Sequence, residues 1–138
     1  MKSFEEYITL GIVQKITPDN NRAQSLLLEA HRKHTTLLKN AQSLGINDEN
    51  ANDFIEYSYN SIMFLIRSKL FSQGYKCSGQ GAHEAEVSFT YQLQFTESQV
   101  RFLDELRYFR NGILYYGKRF DGEYAKKSSR LQNRFFKK

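Results

Sequence analysis

The chain has no tryptophan, one proline and one cysteine in 138 residues. A lone cysteine, Cys77, cannot close an internal disulfide, so a disulfide-stapled secreted module is excluded and a reducing, cytoplasmic setting is expected. No apolar run reaches the roughly 18 residues of a membrane span, and Met1 to Glu6 carries two acids and no signal-type apolar segment. Low hydrophobicity is not the explanation, because 40% of the residues are hydrophobic and 14% aromatic, which also excludes a disordered chain. Gly-rich phosphate loops, Cys/His metal clusters and Ser/His/Asp sets at informative spacing are missing too, so neither a metal nor a cofactor is expected. His31 and His34 lie three apart without further ligands and read as surface histidines.

What is present points to helices. One proline and few β-branched clusters favour an all-α protein of one domain. Ser3 and Glu6 fit a capping box, followed by Phe4, Tyr7, Ile8, Ile12 and Ile16 at helical spacing, so an N-terminal helix is expected across 1–18, ended by Pro18. A core bundle is expected across 19–117. Its second helix, about 20–44, is capped by Asp19 or Asn20 and stopped by Gly45; its third, from Asn47 or Asp48 to before Gly74, is apolar on more than one side, as a central helix is. Residues 87–95 leave two readings open. Val87, Phe89, Tyr91, Leu93 and Phe95 alternate as in a strand, but a single strand lacks a partner and the preceding AHEAE favours helix, which is the expectation. Thr96 and Gln99 fit another capping box, and Phe102, Leu106, Phe109 and Ile113 form the stripe of a helix ending near Gly117. The whole is an up-and-down bundle of five or six helices.

The charge is uneven. Residues 118–138 hold eight basic side chains (Lys118, Arg119, Lys126, Lys127, Arg130, Arg134, Lys137 and Lys138) against Asp121 and Glu123, a balance of +6; the rest of the chain sums to −1. This basic C-terminal helix or tail repeats its cations three and four apart, beside Phe135 and Phe136, which read as exposed. Basic residues interleaved with aromatics suit single-stranded nucleic acid; the same pattern suits an acidic protein partner or an anionic membrane surface, and a solvated helix that only aids solubility has it too. On this reading the tail is detachable and the fold survives without it.

The stretch Leu103–Gly117, LDELRYFRNGILYYG, places Asp104, Arg107 or Tyr108, Asn111 and Tyr115 on one polar stripe of a helix, with Arg110 at its border. An arginine, an amide and a phenol near a helix end can grip a phosphate or carboxylate. Arg110 could equally pair with a carboxylate such as Asp53 or Glu56, Tyr115 and Tyr116 could be packing residues, and His83 could be a loop hydrogen-bonding group.

Three features together resemble the HEPN superfamily (higher eukaryotes and prokaryotes nucleotide-binding domain): the central-helix stretch SYNSIMFLIRSKLFSQGY, the loop SGQGAHEAE, and the late helix LRYFRNGILYYG. The resemblance spans roughly residues 20–120. It implies a helical bundle paired as a homodimer, nucleotide or RNA as ligand, and, in some members, a minimal nucleotidyltransferase as partner in a toxin–antitoxin pair. Carried over, Arg110 takes the motif arginine, Asn111 the polar position, and Tyr115 the place of the motif histidine; Arg107, Tyr116 and His83 join the candidate binding residues. A metal-independent endoribonuclease using Arg110 with Tyr115 or His83 is the alternative, and a structural protein-interaction module the third reading. An imidazole titrates near pH 6.5 and can take a proton from a ribose hydroxyl, whereas a phenol near pKa 10 is a poor base. Tyr115 therefore favours binding over cleavage unless His83 approaches Arg110.

Overall fold

The computed structural model describes residues 1–137; Lys138, the last of the expected basic residues, lies outside them. Its helices are α1 (Phe4–Thr9), α2 (Asn20–Leu44), α3 (Ala51–Gln73), α4 (Ala82–Ser88), α5 (Glu97–Tyr116) and α6 (Gly122–Lys137), with a 3-10 turn at Phe89–Leu93 and two short strands, β1 (Val13–Lys15) and β2 (Tyr75–Cys77). This is the expected all-α bundle.

Apolar side chains cover most of the circumference of α3, and it occupies the centre. Phe54, Ile55, Ile62, Met63, Ile66 and Leu70 are all buried, and α3 packs most extensively against α2, then α6, then α5. Small residues let the neighbours come close: Ser68 Oγ donates to the Ala23 carbonyl of α2 at 2.7 Å, and Ser61 Oγ meets the buried Gln132 amide of α6. Helix α2 runs over its expected range, with Asp19 Oδ1 accepting from Arg22 N–H at 3.0 Å. Helix α3 starts later than expected, because Asn47 Oδ1 accepts from the N–H groups of Glu49 and Asn50 and ties that stretch into a side-chain-capped turn.

The helix expected across 1–18 stops after Thr9. Gly11, at φ +77°, closes a Schellman motif in which Ile12 N–H bonds the Tyr7 carbonyl and Gly11 N–H that of Ile8. The chain then leaves as β1, whose residues Val13, Gln14 and Lys15 pair antiparallel with Cys77, Lys76 and Tyr75. The β-branched Ile12, Val13 and Ile16, consistent with a helical stripe, serve instead as a strand and its flanks. Helix α4 and its 3-10 extension occupy 82–93, so the helical reading of the alternating stretch holds there.

Gly74 joins α3 to this clip. It sits at φ +83°, its carbonyl accepts from Ile16 N–H at 2.8 Å, and an added Cβ would stand 2.7 Å from the Ile16 carbonyl oxygen. Gly74→Ala is therefore expected to cost at least about 2 kcal/mol, left-handed strain plus a backbone clash. Gly117→Ala, left-handed at φ +64° and in open space, should cost about half of that. Urea unfolding of the two variants makes the comparison, and equal losses would refute the clash.

Residues 118–137 are not a detachable tail. The linker is tied to the α2–α3 turn and the first turn of α3: Asn52 Nδ2 donates to the Lys118 carbonyl at 2.7 Å, Phe120 N–H to Asn52 Oδ1 at 3.0 Å, and Gly122 N–H to Asp48 Oδ1 at 2.8 Å. Ala125, Ser128, Leu131, Gln132 and Phe135 of α6 are buried in the same core as α3. The aromatics expected to be exposed are not: Phe135 stacks on Phe95 with ring centres 3.8 Å apart, and Phe136 stacks on His34.

Candidate nucleic-acid interface

Helix α5 positions the motif residues. Its start is fixed by the expected capping box, Thr96 Oγ1 accepting from Gln99 N–H and Gln99 Oε1 from Thr96 N–H. Val100, Leu103 and Leu106 turn inward, which leaves the polar stripe on the flank of the core. There Arg107 Nε donates to Asp104 Oδ1 at 3.0 Å. Arg110 lies over the ring of Tyr59 in α3, 5.5 Å from its centre, and no carboxylate comes within ion-pair distance of it among the described residues, so the alternative pairing with Asp53 or Glu56 is not made. Tyr59 is buried, and burial pushes its phenol up to about 12; Glu86 adds to the rise, while Arg67, Arg110 and Arg107 oppose it.

Asn111 is half-buried and makes no side-chain hydrogen bond among the described residues. Tyr115 and Tyr116 are 72% and 82% exposed at the end of α5, where Tyr108 and Leu114 are exposed as well. They are not packing residues of this chain. His83 turns elsewhere: its Nδ1 is 2.9 Å from Glu86 Oε1 and 3.4 Å from Arg67 Nη2. No contact joins it to Arg110 or Tyr115 among the described residues.

The basic residues of α6 divide. Lys126 pairs with Glu123 at 3.5 Å, and Lys137 is exposed at the helix end. Lys127, Arg130 and Arg134 face a groove of about 490 Å³ between α5 and α6, together with Arg101, Phe102 and Glu105. Lys127 Nζ lies 4.9 Å from the centre of the Phe102 ring, while Glu105 accepts a hydrogen bond from the Tyr124 hydroxyl at 3.1 Å. Burial, reinforced by Glu105, holds the Tyr124 phenol well above its ordinary range. Arg101 is itself paired with Glu97 at 2.9 Å, so the cations without an ion pair among the described residues are Lys127, Arg130 and Arg134, against the one lining carboxylate Glu105, and the groove is net positive. Phe102 was legible only as part of an apolar stripe; its place in the groove, and that of Arg101, depends on how α5 and α6 cross.

Two further groups complete the inventory. The Cys77 thiol is pushed up to about 12 by burial and by nearby Glu86, against the opposing Arg67, so it is not a nucleophile at neutral pH. His34 Nε2 is 2.9 Å from Asn133 Oδ1, and no cluster of three or more metal-ligating side chains occurs among the described residues. No helix among them is long and apolar enough to cross a membrane. Comparison of the chain with protein-family models, with curated proteins and with solved structures gives no match.

Proposed function

We propose that this protein is an RNA-binding module that holds a single strand along the α5/α6 groove without cleaving it. The observation that carries the reading is the convergence of Lys127, Arg130 and Arg134 with Phe102, beside the Glu97-paired Arg101. Spacings of three and four residues keep the three α6 cations on one face over about 10 Å of helix, suited to successive phosphates, and an aromatic wall accepts a base of any sequence. The proposal retains the HEPN resemblance and its homodimer, with the exposed Tyr108, Leu114, Tyr115 and Tyr116 as the face on which two copies meet. Binding is favoured over cleavage because the candidate imidazole, His83, is engaged by Glu86 and contacts neither Arg110 nor Tyr115 among the described residues.

The test is fluorescence anisotropy with a labelled single-stranded RNA of about ten nucleotides. Three phosphate contacts at about −0.7 each give a log–log salt slope near −2.1, hence a loss of about twenty-fold in affinity from 50 to 200 mM salt. Arg130→Glu with Arg134→Glu should weaken binding at least tenfold and flatten the slope by about 1.4. The RNA should be recovered intact, and sedimentation of the complex reads one or two protein copies. Affinity that is flat with salt, or unchanged in the double variant, would refute the proposal.

A further inference from the structure

A second pocket, of about 310 Å³, opens where α2, α3, β2 and α4 meet. Arg22, Arg67, Lys76 and His83 bring positive or proton-binding groups to it from four different elements, and Glu86 is the one carboxylate among its lining residues. None of these residues lines the α5/α6 groove.

Two of the guanidiniums are oriented before any ligand arrives. Arg67 gives Nε to Glu86 Oε2 at 2.6 Å and Nη2 to Oε1 at 3.2 Å, leaving Nη1 without a hydrogen bond among the described residues. Arg22 rests on the Phe71 ring, its Cζ 4.3 Å from the ring centre, and forms no ion pair among the described residues. Lys76, on the strand edge, forms none either. A cation already held in place loses less conformational freedom on capturing an anion, and a planar guanidinium offers paired N–H donors that match phosphate oxygens.

The charge count selects the anion. Glu86 compensates Arg67, and its carboxylate, 7% exposed, is held by Arg67 and His83. Arg22 and Lys76 remain, two positive charges without partners. A phosphomonoester, with its second pKa near 6, carries close to two negative charges at neutral pH, whereas a carboxylate or a sulfate ester carries one. Phe71 and Tyr75 add apolar wall, and the volume falls at the small end of the roughly 300–1,000 Å³ range of small-molecule sites.

We propose that this pocket binds a small phosphomonoester, its phosphate held by Arg22, Arg67 and Lys76 and its organic part against Phe71 and Tyr75. Titrations of isotope-labelled protein with phenyl phosphate, inorganic phosphate and phenyl sulfate at about pH 7.5 test it. Phenyl phosphate should give saturable shifts of the Tyr75, Lys76 and Cys77 amides, several-fold tighter than inorganic phosphate and about tenfold tighter than phenyl sulfate. The double variant Arg22→Gln with Lys76→Gln changes two surface side chains, leaves the fold intact, and should lose at least tenfold in affinity. Arg130→Glu with Arg134→Glu should leave phenyl phosphate binding unchanged. The proposal is overturned by no saturation up to about 10 mM, by equal affinity for phenyl sulfate, or by an undiminished Arg22/Lys76 double variant.

Discussion

Phe135→Ala is expected to lower the free energy of unfolding by about 3–5 kcal/mol, the range for truncating a buried phenylalanine. The ring is only 3% exposed and stacks on Phe95 at 3.8 Å, so the truncation loses transfer energy, ring–ring contact and packing together. Leu65 and Leu93 line a narrow cavity beside the same pair, of about 70 Å³, which the missing ring would enlarge. Arg134→Ala, one residue earlier and exposed, provides the control and should change stability by no more than about 0.5 kcal/mol. Urea denaturation with matched slopes measures both. A loss under about 1 kcal/mol for Phe135→Ala would mean that α6 does not belong to the core. The same logic extends to a chain ending at Gly117, which should fail to fold cooperatively, since Ala125, Leu131, Gln132 and Phe135 leave the core at once.

That result bears on how the sequence is read. The charge count of residues 118–138 invites the idea of a separate basic tail because net charge sums over a helix and hides its faces. Leu131 and Phe135 lie four apart and turn inward, while Lys127, Arg130 and Arg134 turn outward on the same sixteen-residue helix. Helices α2 and α3, and the capping box at Thr96, were legible because their signals are local: side-chain caps, terminal glycines and a repeating apolar stripe. The β1–β2 clip was not, since each strand is three residues long and its partner lies some sixty residues away. Of the site, Lys127, Arg130 and Arg134 were legible as a stripe, but their companions Arg101 and Phe102 depend on a helix crossing. The motif region was legible in composition and not in contacts. His83, a candidate partner for Arg110, pairs instead with a glutamate three residues on, and Arg110 finds an aromatic ring rather than a carboxylate.

The buried pair Arg67–Glu86 carries the largest electrostatic prediction. Glu86 is almost fully enclosed, its side chain 7% exposed, and burial alone would raise its pKa; the hydrogen bonds from His83 and Arg67 outweigh that and hold it below the ordinary value of 4.5. Arg67→Met removes the fork and strands a carboxylate in the core, at a cost of about 3 kcal/mol at neutral pH, the lower end of the range for broken buried pairs because water reaches the arginine side. Glu86→Gln keeps the shape and removes the charge, so its cost should be smaller, about 1.5 kcal/mol. The two variants also differ with pH. A carboxyl whose folded pKa is depressed stabilises fully above its unfolded value and loses that contribution as the pH falls through the folded one. The wild-type protein should therefore lose stability below about pH 4.5, and Glu86→Gln should lose less over the same window. In Arg67→Met the stranded carboxyl is held up by burial, so this component reverses sign and stability should recover on acidification into the same range. Urea midpoints collected from about pH 7 down to pH 3 separate the cases. An acid slope as steep in Glu86→Gln as in the wild type would show that other carboxylates set the acid limit and that the Arg67–Glu86 fork contributes little to holding α4 on α3.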